Sequence, residues 1–243
     1  MTERRIRDVP KPILLLLALG LGLQLAWHSR LPPPNPRPEA LPRPPSLAAL
    51  QLASLGEPVA LAKLLMLRLQ AFDTQAGVNL PFRRLDYGAV EAWLAAILRL
   101  DPQGQYPLLA AARLYAEVND EPKQRRMLDF IHREFLLDPN RRWPWLAHAA
   151  LLAKHRLHDL PLARKYAEAI RLHATGPEVP HWASQMEIFI LEDMNELESA
   201  RILLGGLLQS GKLTDPHEIR FLSERLDEMA KKESRPPNPR QTD

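Results

Sequence analysis

The chain has 243 residues, 46% hydrophobic and 25% charged, enough for one good-sized folded domain with appendages. It contains no cysteine, which excludes structural disulfides, thiolate metal sites, a cysteine nucleophile and an acylated lipoprotein cysteine together. The formal net charge of +3 is unevenly spread, because residues 1–45 hold seven Lys/Arg against three Asp/Glu and leave 25 basic against 26 acidic residues elsewhere; the folded part therefore lacks the concentrated positive charge of a nucleic-acid binder.

Residues 1–11 carry Arg4, Arg5, Arg7 and Lys11. They precede an apolar run, Ile13 to Trp27, whose only polar side chain is Gln24. This predicts a single transmembrane signal-anchor helix over residues 12–29. The fifteen-residue run by itself reaches only about 22 Å, short of the roughly 30 Å hydrocarbon core, so spanning calls for local thinning or snorkelling by Lys11 and Arg30. A cleaved signal peptide begins in the same way, but no small-x-small triplet stands between the end of the run and the proline block. The slight excess of positive residues on the N-terminal side puts residues 1–11 in the cytoplasm and the C-terminal domain in the periplasm of a bacterial-type inner membrane.

Residues 30–46 form a proline-rich linker, with eight prolines between Leu31 and Pro45. Such a stretch cannot join a packed core, and as polyproline II it makes a semi-rigid stalk of about 45 Å. A second use is as a ligand for an SH3-like or WW-like partner.

From Ser46 onward apolar residues recur at helical spacing with no sustained alternation, so residues 47–233 read as an all-α domain. Its first unit is irregular, with a helix from Val59 to Phe72, a loop from Thr74 to Leu85 and a second helix from Tyr87 to Leu100. Helix stops then recur at Asp101-Pro102, Asp138-Pro139, Gly176-Pro177 and Asp215-Pro216, the prolines standing 37, 38 and 39 residues apart. The residue before proline disfavours the α region and proline lacks the donor a continuing helix needs. Restarts are expected at Tyr106-Pro107, Trp143-Pro144 and Trp182. Mid-unit breaks fall at Asn119 to Pro122, His158 to Pro161 and Asp193 to Asn195, making each unit a helical hairpin. A closing amphipathic helix runs from His217 to Lys232, and residues 234–243 read as a disordered tail.

These hairpins resemble the tetratricopeptide-repeat family, most closely between Arg156 and Thr175, where HDLPLARKYAEAIRL looks like the family's turn and second helix with Ala163 and Ala167 at close-packing positions. The units are longer than the family's 34 residues, and the small residue of each first helix is not consistently placed, which makes them degenerate repeats. The resemblance implies a TPR-like α-solenoid that acts as a scaffold, its first helices lining a groove for other proteins or peptides, here components of the cell envelope or a secretion system. For that groove the candidates are Tyr106, Arg113, Arg141, Arg142, Trp143, Trp145 and Trp182, since aromatic and arginine clusters anchor interfaces.

No phosphate loop, nucleophile elbow, zinc-protease helix or kinase signature occurs, and no catalytic residue or cofactor is expected. The alternative is a helical metal-dependent hydrolase using His148, His155 and His158 with Asp159. Against it, Asp159 falls where a helix cap is needed and His158 at a helix end. Glu187, Glu192 and Asp193, with Glu196 and Glu198, read as a solvated helix face rather than an acid/base pair. Gly205-Gly206, inside a helix, suggest a close crossing or a kink.

Overall fold

The structure, a computed structural model, describes residues 10–30, 39–75, 78–211, 213 and 215–233. Residues 1–9, most of the proline stretch (31–38) and the tail 234–243 lie outside the described residues. The described chain is all-helical, with 76% helix and 11 helices. Contacts divide it into two units, Met1–Glu39 with Asp73–Leu80 and Ala40–Phe72 with Pro81–Asp243.

In the first unit α1 spans Lys11–Arg30 and buries none of its 20 residues. It extends past the apolar run at both ends. The Pro10 carbonyl accepts from Ile13, and Ser29 donates back to the Ala26 carbonyl at 3.0 Å. At 1.5 Å per residue the helix is about 30 Å long, with polar Lys11, His28, Ser29 and Arg30 at its ends around the shorter apolar run. Where a plain loop was expected, Thr74–Gln75 (β1) and Val78–Asn79 (β2) pair as a short antiparallel hairpin. The Gln75 amide clamps Glu39 beside it, accepting from its N–H at 2.7 Å and donating to its carbonyl at 3.1 Å.

The second unit opens with the end of the proline stretch, which is not the free stalk expected. Leu41 is buried, and the Trp93 indole donates to the Pro42 carbonyl at 2.7 Å. The helices that follow are α2 (Leu47–Ala53), α3 (Pro58–Gln70), α4 (Tyr87–Leu100), α5 (Tyr106–Ala110), α6 (Glu121–Phe135), α7 (Pro139–His155), α8 (Leu160–His173), α9 (His181–Asp193), α10 (Leu197–Gln209) and α11 (Pro216–Glu233). α3 packs on α4, α4 on α5 and α6, and each of α6 to α10 on the next helix in the chain, while α5 also touches α7, as α7 touches α9. The α7–α8 pair is lined by small residues, with Ala149, Ala150, Ala153, Ala163 and Ala167 all at 0% exposure around Leu146, Tyr166 and Ile170. Short side chains let the two axes approach, and the large ones fill the remaining space.

The breaks form as the proline rules require, with one shift. Asp138 is extended (φ −153°) and Pro139 opens α7 in its first turn, where its missing N–H is no loss. The restart expected at Trp143-Pro144 is therefore inside α7, where Pro144 forfeits one helical bond. Asp86, Asp120 and Asp159 accept from the backbone N–H groups of Gly88, Lys123 and Leu162 at 2.8, 3.2 and 2.9 Å. The bends after α7 and α9 turn on His158 (φ 53°) and Asn195 (φ 59°), residue types that tolerate the left-handed region. After α5 the chain widens into a π-turn over Ala111–Tyr115.

Gly205 and Gly206 are not at a close crossing, because a Cβ at either would meet nothing within 4 Å. Replacing either by alanine should stabilise α10 by up to about 1 kcal/mol, measured by urea unfolding followed by circular dichroism. Asp159 caps α8 and also accepts from Arg125 at 2.7 Å, and that guanidinium, followed by the Leu162 N–H, holds its carboxyl below the usual range. Asp159→Ala should cost about 1–2 kcal/mol in the same assay, with Asp159→Asn recovering the capping share.

Candidate functional site

Hydrogen bonds and ion pairs between neighbouring hairpins recur at close to one repeat length. Among second helices and their caps, Arg125 holds Asp159, Tyr166 donates to Asp129 at 3.2 Å and Arg164 holds Glu196 at 3.0 Å. Among first helices and their ends, Trp145 donates to Gln105 at 2.5 Å, Arg156 to Glu117 at 2.7 Å and Arg225 to Glu192 at 3.0 Å, while Lys154 pairs with Asp193. The hydrogen-bonded partners stand 32 to 40 residues apart.

The first helices α5, α7 and α9 each present one large apolar side chain to solvent, and α11 presents Ile219 and Phe221. Tyr106 on α5 is 46% exposed, Leu151 on α7 46%, Trp182 on α9 52% and Phe221 on α11 55%. Trp143 is partly buried and meets the Trp182 ring edge to face at 5.2 Å. Arg113, in the π-turn, is exposed and makes no ion pair among the described residues. Arg141 is also exposed but paired with Asp138 at 3.0 Å. Arg142 does not belong to an open face. At 4% exposure it donates to the Glu134 carboxylate at 2.9 Å, to the Glu134 carbonyl at 2.7 Å and to the Pro102 carbonyl at 3.1 Å. Its place is the joint between hairpins, and sequence reasoning took it for a surface arginine because Arg141 and Arg142 look alike without the helix register.

Beside Tyr106 a cavity of about 210 Å³ is lined by Ala62, Met66, Ile97, Gln105 and Pro107. Trp145 fixes the Gln105 amide through its oxygen, and the amide nitrogen is buried with no hydrogen-bond partner. Neither this cavity nor Leu151 was anticipated. Leu151 follows Trp145 and His148 at helical spacing, so a count along α7 carries the signal.

The histidines of the metal alternative do not converge. His155 and His158 are exposed, the His148 Nε2 is buried without a hydrogen-bond partner, and among the described residues no three His, Asp or Glu side chains are grouped to hold an ion. The acids read as a solvated face are in part enclosed. Glu187 is 1% exposed and accepts from Arg171 at 2.6 Å, with Arg164 at 3.8 Å, and Glu192 is clasped by Arg225.

No family model, curated protein or solved structure matches this chain.

Burial lowers His148 below the ordinary imidazole value of 6.5, with Arg113 adding to the effect, and burial with Lys165 lowers His132 likewise. The unfolded chain therefore holds these protons more tightly, so stability is complete above the ordinary imidazole value and is lost as pH falls below it. The melting temperature should drop between about pH 7.5 and about pH 5, and His132→Gln with His148→Gln should flatten that slope.

Proposed function

We propose that the chain is a membrane-anchored scaffold in which α1 crosses a bacterial inner membrane and hairpins α3 to α10 stack as a TPR-like α-solenoid, capped by α11. Its first-helix face binds a protein or peptide of the cell envelope. The observation that carries this reading is the recurrence of inter-hairpin bonds at 32 to 40 residues, first helix to first helix and second to second. That is the contact pattern of a quasi-one-dimensional array, where each repeat touches only its neighbours. The α1 length of about 30 Å, its middle with Gln24 as the one polar side chain and its lack of burial support the anchor.

Tyr106 on α5, Leu151 on α7, Trp182 on α9 and Phe221 on α11 supply exposed amphipathic and apolar anchors for such a partner. The cavity beside Tyr106 adds a socket of about 210 Å³. This is below the roughly 300–1,000 Å³ of small-molecule sites and suits a single side chain of a polypeptide.

The test is crosslinking in membranes with the full chain against Tyr106→Ala, Leu151→Asp and Trp182→Ala. These side chains are about half exposed, so helix content and melting temperature should be unchanged, while a discrete crosslinked partner should weaken at least tenfold. An identical crosslinked set in all variants removes the first-helix face as the binding surface. A C-terminal alkaline phosphatase fusion should be active, and inactivity there places the domain in the cytoplasm.

A further inference from the structure

The first hairpin exposes leucine where nothing in the fold uses it. Leu52 at the end of α2 is 80% exposed, Leu55 at the bend 92%, and Leu64 and Leu67 on α3 63% and 61%. The opposite side of α3 is already committed, since Ala62, Met66 and Leu69 are buried and α3 packs on α4. Leu64 and Leu67, three residues apart, lie on one side of α3, and with Leu52 and Leu55 they leave four leucines exposed within sixteen residues.

Two further features set this face apart. Leu55 sits in the left-handed region at φ 51°, followed by Gly56 at φ 92°. A bulky side chain is disfavoured there, and at 92% exposure no contact within the domain compensates it. The charges are also one-sided. The α3 sequence contains Lys63 and Arg68 and no acid, and both cations, like Arg113 elsewhere, are exposed without an ion pair among the described residues.

Chain length limits what can cover the face. Leu41 is seated against Leu65, Leu69 and Trp93, and Trp93 holds the Pro42 carbonyl. From Arg30, the last residue of α1, to Leu41 is eleven Cα steps, at most about 40 Å when fully extended. If α1 spans a bilayer, as proposed above, α3 is tethered within that reach of the headgroups.

We infer that the α2–α3 face is a lipid-binding surface, which rests on the membrane that α1 crosses. Leu55 and Leu52 enter the boundary between headgroups and acyl chains, Leu64 and Leu67 follow along α3, and Lys63 and Arg68 meet anionic headgroups. An outward apolar strip flanked by unpaired cations is the composition of an interfacial helix. The inference depends on the membrane reading of α1, and its test separates the two.

The chain has no cysteine, so single cysteines take an environment-sensitive nitrobenzoxadiazole label cleanly. Full-length Leu55→Cys, Leu64→Cys, Leu172→Cys and Leu19→Cys would be reconstituted in vesicles of phosphatidylethanolamine and phosphatidylglycerol and quenched with nitroxide-labelled lipid. Leu172, on α8 and 52% exposed, is the aqueous reference, and Leu19 reports on α1. Labels at 55 and 64 should be blue-shifted and quenched several-fold more than at 172. Lys63→Glu with Arg68→Glu should reduce the quenching at 55 by at least half. Strong quenching at 19 with none above reference at 55 and 64 overturns the lipid surface and leaves the anchor standing. Absence of quenching at 19 removes the anchor and this inference with it. Self-quenching at 55 that fades as the protein is diluted in lipid, without nitroxide quenching, assigns the face to a second copy of the chain instead.

Discussion

The Asp159 carboxylate caps α8 through the Leu162 N–H and accepts from Arg125 on the preceding hairpin, and both demands follow from one constraint. A helical hairpin of this length cannot bury its own apolar faces, so its breaks and its contacts with neighbours must be set together. A related hold falls at Glu196, the residue that opens α10, whose carboxylate makes no capping bond and is held by Arg164 of the preceding hairpin. Where a helix starts is therefore coupled to where the adjoining hairpin lies. A loss at one break is felt in two hairpins.

Charge is also buried at the joints. Arg142 and Glu134 are both nearly inaccessible, Glu187 lies between Arg164 and Arg171, and Glu192 is closed off under Arg225. Taking such groups out of water is expensive, and a buried pair contributes little net stability compared with an apolar pair of the same shape. Removing one partner is far more damaging than replacing both. Their use here fits positional control, because a fork of guanidinium donors fixes one register between hairpins that are otherwise lined by interchangeable alanines and leucines.

Much of this was legible in the residues. The Asp-Pro steps located α7 and α11 because a proline's rigid φ and missing donor act locally, without help from the rest of the chain. Ala163 and Ala167 were placed at close-packing positions by the family resemblance, and both are fully buried. What could not be read was which of several similar side chains turns inward. Arg141 and Arg142 are adjacent in sequence, yet one is on the surface and the other is enclosed at the joint. Glu187 looked like its exposed neighbours until Arg171, on the helix before it, was seen to reach it. Gln105 gave no sign that Trp145, 40 residues on, fixes its amide. In the proline stretch composition alone suggested a free rod, and only the position of Trp93 reveals that its last residues are held.

That held segment has a mechanical consequence. Tension arriving along the N-terminal arm reaches Leu41 and Pro42 before it reaches Ser46, whose hydroxyl caps α2. The load falls first on the Glu39–Gln75 clamp and then on one indole hydrogen bond and the buried Leu41. The clip works as a strain relief. Until it slips, a pull on the arm cannot unravel α2 from its first turn.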